Sequence, residues 1–197
     1  MAVSRLSQQS IQQAFPKGNT VWDGTTATSA FDSLGSVVAP SAGLSSITFS
    51  NIPSTYTNLQ LRGMLRTNDG GTWNNQGMTF NSDGGSYYKS HTLFGDGANA
   101  TAGNTAGSTN FNDFMRAAGT GLTAGIFGLV ILDILDYANT NKNKTFRALF
   151  GGDSNGAGMV GLNSGVYLRN DAIHTITISP SGGTALAGSS FSLYGSK

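Results

Sequence analysis

The chain has 197 residues, long enough for one domain with a substantial core. Charged residues make up only 11% and the net charge is +1, with the basic residues scattered, so no stripe is present to neutralise phosphates and a nucleic-acid partner is not expected. There is no cysteine, which rules out disulfides and thiolate metal sites.

The segment "SRLSQQSIQQAF" opens the chain, rich in Gln, with Leu6, Ile11 and Phe15 as its apolar points. Ile11 and Phe15 stand one helical turn apart and Pro16 ends the pattern. This predicts a short helix or arm over 1–24, used for attachment to another chain, ahead of a β domain over 25–197. The rival reading of these residues is a frayed terminus.

From there the pattern is that of strands. All ten acidic residues are Asp, the chain has 28 glycines, and Ser, Thr and Asn fill much of the rest, a composition of many turns. "GSVVA" (35–39) and "LSSITFS" (44–50) predict the first strands. "TNLQLRGMLRT" (57–67) alternates most clearly, with Leu59, Leu61 and Leu65 on one face and Gln60, Arg62 and Arg66 on the other. "QGMTFN" and "SYYKSHTLFG" flank "SDGG" and read as a hairpin with the glycines in the turn. Residues 96–110 carry no apolar periodicity and predict a long surface loop.

"AGIFGLVILDILDY" (124–137) is apolar on both alternations. Ile126, Val130, Leu132 and Ile134 fill one face, and Phe127, Leu129, Ile131 and Leu135 the other. One face can enter the core; the other needs a cover, and Phe127, Leu129 and Ile131 are therefore expected at a subunit contact. The run "IFGLVIL" is too short to span a bilayer, so no membrane insertion is expected, and no signal-peptide core is visible. Strands over 144–151, 159–170, 172–179 and 189–195 complete an all-β, antiparallel, jelly-roll-like sandwich. The last of these runs almost to Lys197, which suggests that a sheet holds it.

Chemistry is sparsely signalled. His91 and His174 have no partners at metal or catalytic spacing, and His174 is in phase with Ile176 and Ile178, which predicts an inward or neighbour-facing ring. Asp133 and Asp136 are an odd number apart on a strand and cannot form a carboxylate pair there. "DSNGAG" starts like a calcium loop but fails at Ala157, so no metal or other cofactor is expected. Trp73, Tyr87 and Tyr88 sit near predicted turns; they either close the core or an interface, or stack on a sugar.

Four blocks of the sequence resemble small virion structural proteins of tailed, marine-type bacteriophages: "SRLSQQSIQQAFPKGNTVWDGTTATSAFDSL", "SSITFSNIPSTYTNLQLRGMLRT", "MTFNSDGGSYYKSHTLFGDG" and "ITISPSGGTALAGSSFSLYGSK". The resemblance covers nearly the whole chain and carries no catalytic residues. It implies a non-enzymatic protein on the outside of the virion, a head decoration or short fibre, made in the host cytoplasm. It also implies a homotrimer that joins other virion proteins. The rival expectation is a tail-fibre adhesin that binds host surface carbohydrate through Trp73, Tyr87 and Tyr88.

Overall fold

A computed structural model describes residues 31–197. Leu6, Ile11, Phe15 and the rest of the expected 1–24 arm lie outside the described residues. Within them all regular structure is β, in thirteen strands.

The main sheet has eight strands, in the order β1 (Asp32–Val38), β13 (Ser190–Ser196), β3 (Asn58–Leu65), β9 (Gly128–Leu135), β10 (Lys144–Gly152), β11 (Met159–Tyr167), β6 (Tyr88–Gly95) and β7 (Ala100–Ser108). Every neighbouring pair is antiparallel. A three-stranded sheet, β2 (Ile47–Phe49), β12 (Ile176–Ser179) and β5 (Gly77–Phe80), shares one core with it. A short pair, β4 (Trp73–Asn75) with β8 (Arg116–Ala118), completes the set. The sandwich is thus strongly uneven, eight strands in one sheet and three in the other, where a regular eight-stranded jelly roll divides its strands evenly.

The alternation in the sequence explains the inner layer. Leu59, Leu61 and Leu65 of β3, Val130, Leu132 and Ile134 of β9, and Phe191 and Leu193 of β13 are all buried. They meet Ile47, Met78, Phe80, Ile176 and Ile178 from the smaller sheet in one apolar cluster. β13 answers for the strand-like end of the sequence: it lies between β1 and β3, paired along its whole length.

Three strand glycines have a packing reason. Phe146, Phe150 and Phe191 lie directly opposite Gly165, Gly161 and Gly63. A Cβ on Gly63 or Gly165 would fall 2.1 Å from the facing ring, and one on Gly161 2.3 Å from it. The rings lie flat over bare backbone, the cross-strand arrangement in which an aromatic covers a glycine.

Two expectations are corrected here. β5 and β6 are not a hairpin, because they belong to different sheets. The chain changes layer between them, with Asn81 (φ 53°) and Ser82 (φ 55°), rather than the glycines, in the left-handed region. The corner is held by side chains. Asn81 Oδ1 accepts from the His174 N–H at 2.8 Å, and the Tyr88 hydroxyl accepts from the Phe80 N–H at 3.2 Å and donates to the Asp83 carbonyl at 2.8 Å. Residues 96–110 are likewise not a loop throughout: β7 occupies 100–108 and pairs with β6. Its pairing is by backbone alone, and its side chains are small and nearly all exposed on both faces. That is why no periodicity marks it.

Two buried cations brace the connections. Arg66 donates from Nη1 to the Thr123 and Ile126 carbonyls, each at 2.9 Å, and from Nη2 to that of Leu122 at 2.8 Å, which fixes the loop leading into β9. Lys144, 1% exposed, donates from Nζ to the carbonyls of Lys142 at 2.8 Å, Asn170 at 3.0 Å and Asn139. Burial lowers its ammonium pKa below the ordinary lysine value.

Candidate assembly face

The outer face of the main sheet carries the least ordinary surface of the molecule. On β9 the outward residues are Leu129, Ile131, Asp133 and Leu135, while Val130, Leu132 and Ile134 point into the core. The antiparallel registers then place residues of like character side by side. Ile131 is opposite Leu149, Leu149 opposite Leu162, and Leu162 opposite Leu93. This forms one straight apolar row across β9, β10, β11 and β6. In the row beside it, Leu129 and Val160 flank Gly151.

The side chains of Leu93, Leu129, Ile131, Leu135, Leu149, Val160 and Leu162 are each 45–60% exposed. With strands about 4.8 Å apart and about 3.4 Å per residue, the two apolar rows across four strands measure on the order of 19 Å by 14 Å, or about 270 Å². That is close to the lower end of the largest apolar patches of soluble monomers, about 300–600 Å², which are often interaction sites. Between β9 and β7 the face is hollowed into a depression of about 730 Å³, with Ala102 and Gly103 of β7 as its low wall.

A polar row runs along the other side of the apolar one. Asp133, Arg147, Ser164 and His91 are neighbours in register, and Gln60 of β3 adjoins Asp133. Gln60 Nε2 donates to Asp133 Oδ1 at 2.7 Å, and Arg62 Nε donates to Gln60 Oε1 at 2.6 Å. Arg62 is in turn held between the rings of Phe31 and Tyr194, at 5.6 and 5.4 Å. Among the described residues the side chains of Arg147 and His91 make no hydrogen bond.

Of the three residues expected at a subunit contact, Leu129 and Ile131 stand on this face. Phe127 does not. It precedes β9, is partly buried, and its ring lies where a Cβ on Gly188 would be 3.0 Å away. Sequence reasoning did not pick out Leu93, Leu149, Val160 and Leu162. Their strands alternate apolar residues on both faces as β9 does, but more loosely, and only the register lines them up.

The three aromatics weighed for sugar contact are separated and engaged. Tyr88 is fully buried, so no surface stacking is open to it, and burial raises its phenol pKa. Trp73 packs on Gly152, where a Cβ would meet its ring at 2.3 Å, and donates from Nε1 to the Ala157 carbonyl at 3.0 Å. Tyr87 has the Arg169 guanidinium 4.7 Å from its ring centroid and Gly85 against its edge. Gly152 pairs with Met159 at one end of β11, and Tyr88 with Tyr167 at the other. At about 3.4 Å per residue Trp73 and Tyr87 are therefore roughly 25 Å apart, too far to share a groove.

The remaining titratable groups are tied into turns. Asp83 Oδ2 accepts from the Tyr167 hydroxyl at 2.7 Å and Oδ1 from the Gly85 N–H at 2.8 Å, and Arg169 stands 3.5 Å away; these hold its carboxyl below the usual range. His174 is exposed, before β12 begins, so of the inward and neighbour-facing readings the inward one is corrected. Asp153 Oδ1 accepts from the Asn155 N–H at 2.8 Å, ordinary turn chemistry. Among the described residues no group of three or more His, Cys, Asp or Glu side chains could hold a metal ion.

No family model matches the chain, and no curated protein matches it.

Proposed function

We propose that this chain is a non-enzymatic structural protein on the outside of a tailed-phage virion, a head decoration or short fibre, that assembles with copies of itself and with other virion proteins. The observation that carries the self-assembly is the exposed row Ile131–Leu149–Leu162–Leu93 beside its polar row. An apolar surface of this extent favours a cover of similar character. The virion role rests on the four-block resemblance, and so does a copy number of three. Residues 1–24 attach the subunit to the particle, and the sandwich projects.

The test is mass spectrometry of gradient-purified virions, with antibody labelling in electron micrographs. The chain is expected in a fixed ratio to the major capsid protein and on the particle exterior. Its absence from purified particles overturns the reading, as does release of reducing sugar from host glycans by the purified protein. Deleting residues 2–15 should leave the melting temperature of the sandwich unchanged and abolish incorporation into particles. A truncated protein that incorporates normally contradicts the role given to that segment.

A further inference from the structure

We infer that two copies of this chain meet face to face with their strands aligned along the symmetry axis, so that Asp133 of one copy sits against His91 of the next. The inference rests on the self-assembly proposed above and names its geometry.

The argument starts from the order of the rows. Along β9 the outward residues run Leu129, Ile131, Asp133; across the sheet these positions begin three parallel rows. The first is apolar and open (Leu129, Gly151, Val160), the second fully apolar (Ile131, Leu149, Leu162, Leu93), and the third polar (Asp133, Arg147, Ser164, His91).

A rotation about an axis parallel to the strands leaves each row at its own height. Apolar then meets apolar and polar meets polar. A two-fold axis perpendicular to the strands, through the middle row, exchanges the outer rows instead. It would press Asp133 onto Leu129, Arg147 onto the bare backbone of Gly151 and Ser164 onto Val160, burying a carboxylate against hydrocarbon, which is costly. The pattern therefore selects the strand-parallel axis.

Such a rotation reverses the strand order, or brings opposite margins of the face together. With a two-fold axis β9 faces β6, and β10 faces β11. With a three-fold axis the β6 margin of one copy abuts the β9 margin of its neighbour. In both cases Asp133 meets His91. One oxygen of Asp133 is already held by Gln60, and His91 makes no hydrogen bond within the described residues, so a carboxylate and a ring N–H are both available. Ile131 of one copy meanwhile enters the depression walled by Ala102 and Gly103 of the other.

The size agrees with a second copy as occupant. A standard interface buries about 800 Å² per partner, with an apolar centre and a polar rim. The two apolar rows supply about a third of that as a centre, and the polar row supplies one side of the rim.

The chain lacks cysteine, so the contact can be read by cross-linking. Within one subunit Asp133 and His91 are three strand spacings apart, about 14 Å, whereas residues facing each other across two packed sheets are about 10 Å apart, more than the roughly 7 Å between Cα atoms that a direct disulfide spans. The experiment uses the full chain carrying Asp133→Cys and His91→Cys, treated with a short, reductant-cleavable bis-thiosulfonate cross-linker that reaches about 10 Å between Cα atoms, and run on a non-reducing gel. A second variant, Leu129→Cys with Asp133→Cys, reports the perpendicular axis. Sedimentation of the unsubstituted chain is measured first. Expected is a covalent dimer or trimer holding most of the first variant, reversed by reductant, and little from the second. An assembled protein in which the first variant fails to cross-link, or the second cross-links instead, overturns this pairing and leaves self-assembly standing. A monomeric unsubstituted chain, for instance one whose face is covered by its own residues 1–30, overturns both.

Discussion

Gly165 and Gly103 are both strand glycines, yet they should respond to the same substitution in opposite ways. A methyl at Gly165 would sit 2.1 Å from the Phe146 ring, whereas Gly103 has nothing within 4 Å. Gly165→Ala should therefore cost about 2–3 kcal/mol by overpacking, and Gly103→Ala should be neutral or gain up to about 0.5 kcal/mol. Chemical denaturation of both variants checks this. Lys144 sets a similar contrast between chemistry and size. Replacing it by Met keeps the volume but strips three carbonyls of their donor. Each unpaired buried group is costly, and a loss of about 2 kcal/mol or more is expected. A Lys144→Met variant as stable as the parent would show that water replaces the ammonium.

Asp83 gives the acid response its sign. Its folded pKa lies below the ordinary 3.8, mainly because the Tyr167 hydroxyl and the Gly85 N–H bond to the ionised form. The stability it contributes is present above that ordinary value and is lost as pH falls through the lower folded one. The parent should therefore melt higher than Asp83→Asn at pH 6, and the gap should close as pH falls below 3.8. A gap unchanged down to pH 2 would contradict the account of that corner.

At the scale of elements, β9 shows how far sequence alone reaches. Its two apolar alternations required cover on both sides, and the sheet supplies it on one: Leu132 is fully buried and Ile131 is 45% exposed. Leu132→Asp should unfold the domain at room temperature, since an unpaired buried carboxylate costs several kcal/mol. Ile131→Asp should cost no more than about 1 kcal/mol of subunit stability and act on assembly instead. The strands that were legible in part or whole, β1, β2, β3, β5, β6, β9, β10, β11, β12 and β13, carry apolar or β-branched residues in an alternation bounded by turn residues, clearest in β3 and β9. Those that were not have no such signal. β4 and β8 are three residues each, and β7 buries almost nothing on either face. The expected hairpin failed for another reason. Its glycines signalled a tight turn, while the decisive interactions, from Asn81 to the 172–174 segment, join residues far apart in sequence.

The same limit explains the site at the scale of the whole molecule. Each strand shows its own outward leucine, but a row across four strands exists only once their registers are set, and registers cannot be read from one strand. Leu129 and Ile131 were visible because β9 is apolar on both faces, while Leu149 and Leu162 became part of the same surface only through pairing. The proposal that another chain covers this face draws support from the row of exposed leucines and isoleucine gathered on it among the described residues. Sedimentation velocity of the full chain at micromolar concentration, beside Leu149→Asp, tests that most directly. The account predicts an oligomer for the parent and a folded monomer for the variant, with melting temperatures that differ little once both are monomeric. A monomeric parent, or a Leu149→Asp variant that assembles as the parent does, would contradict it.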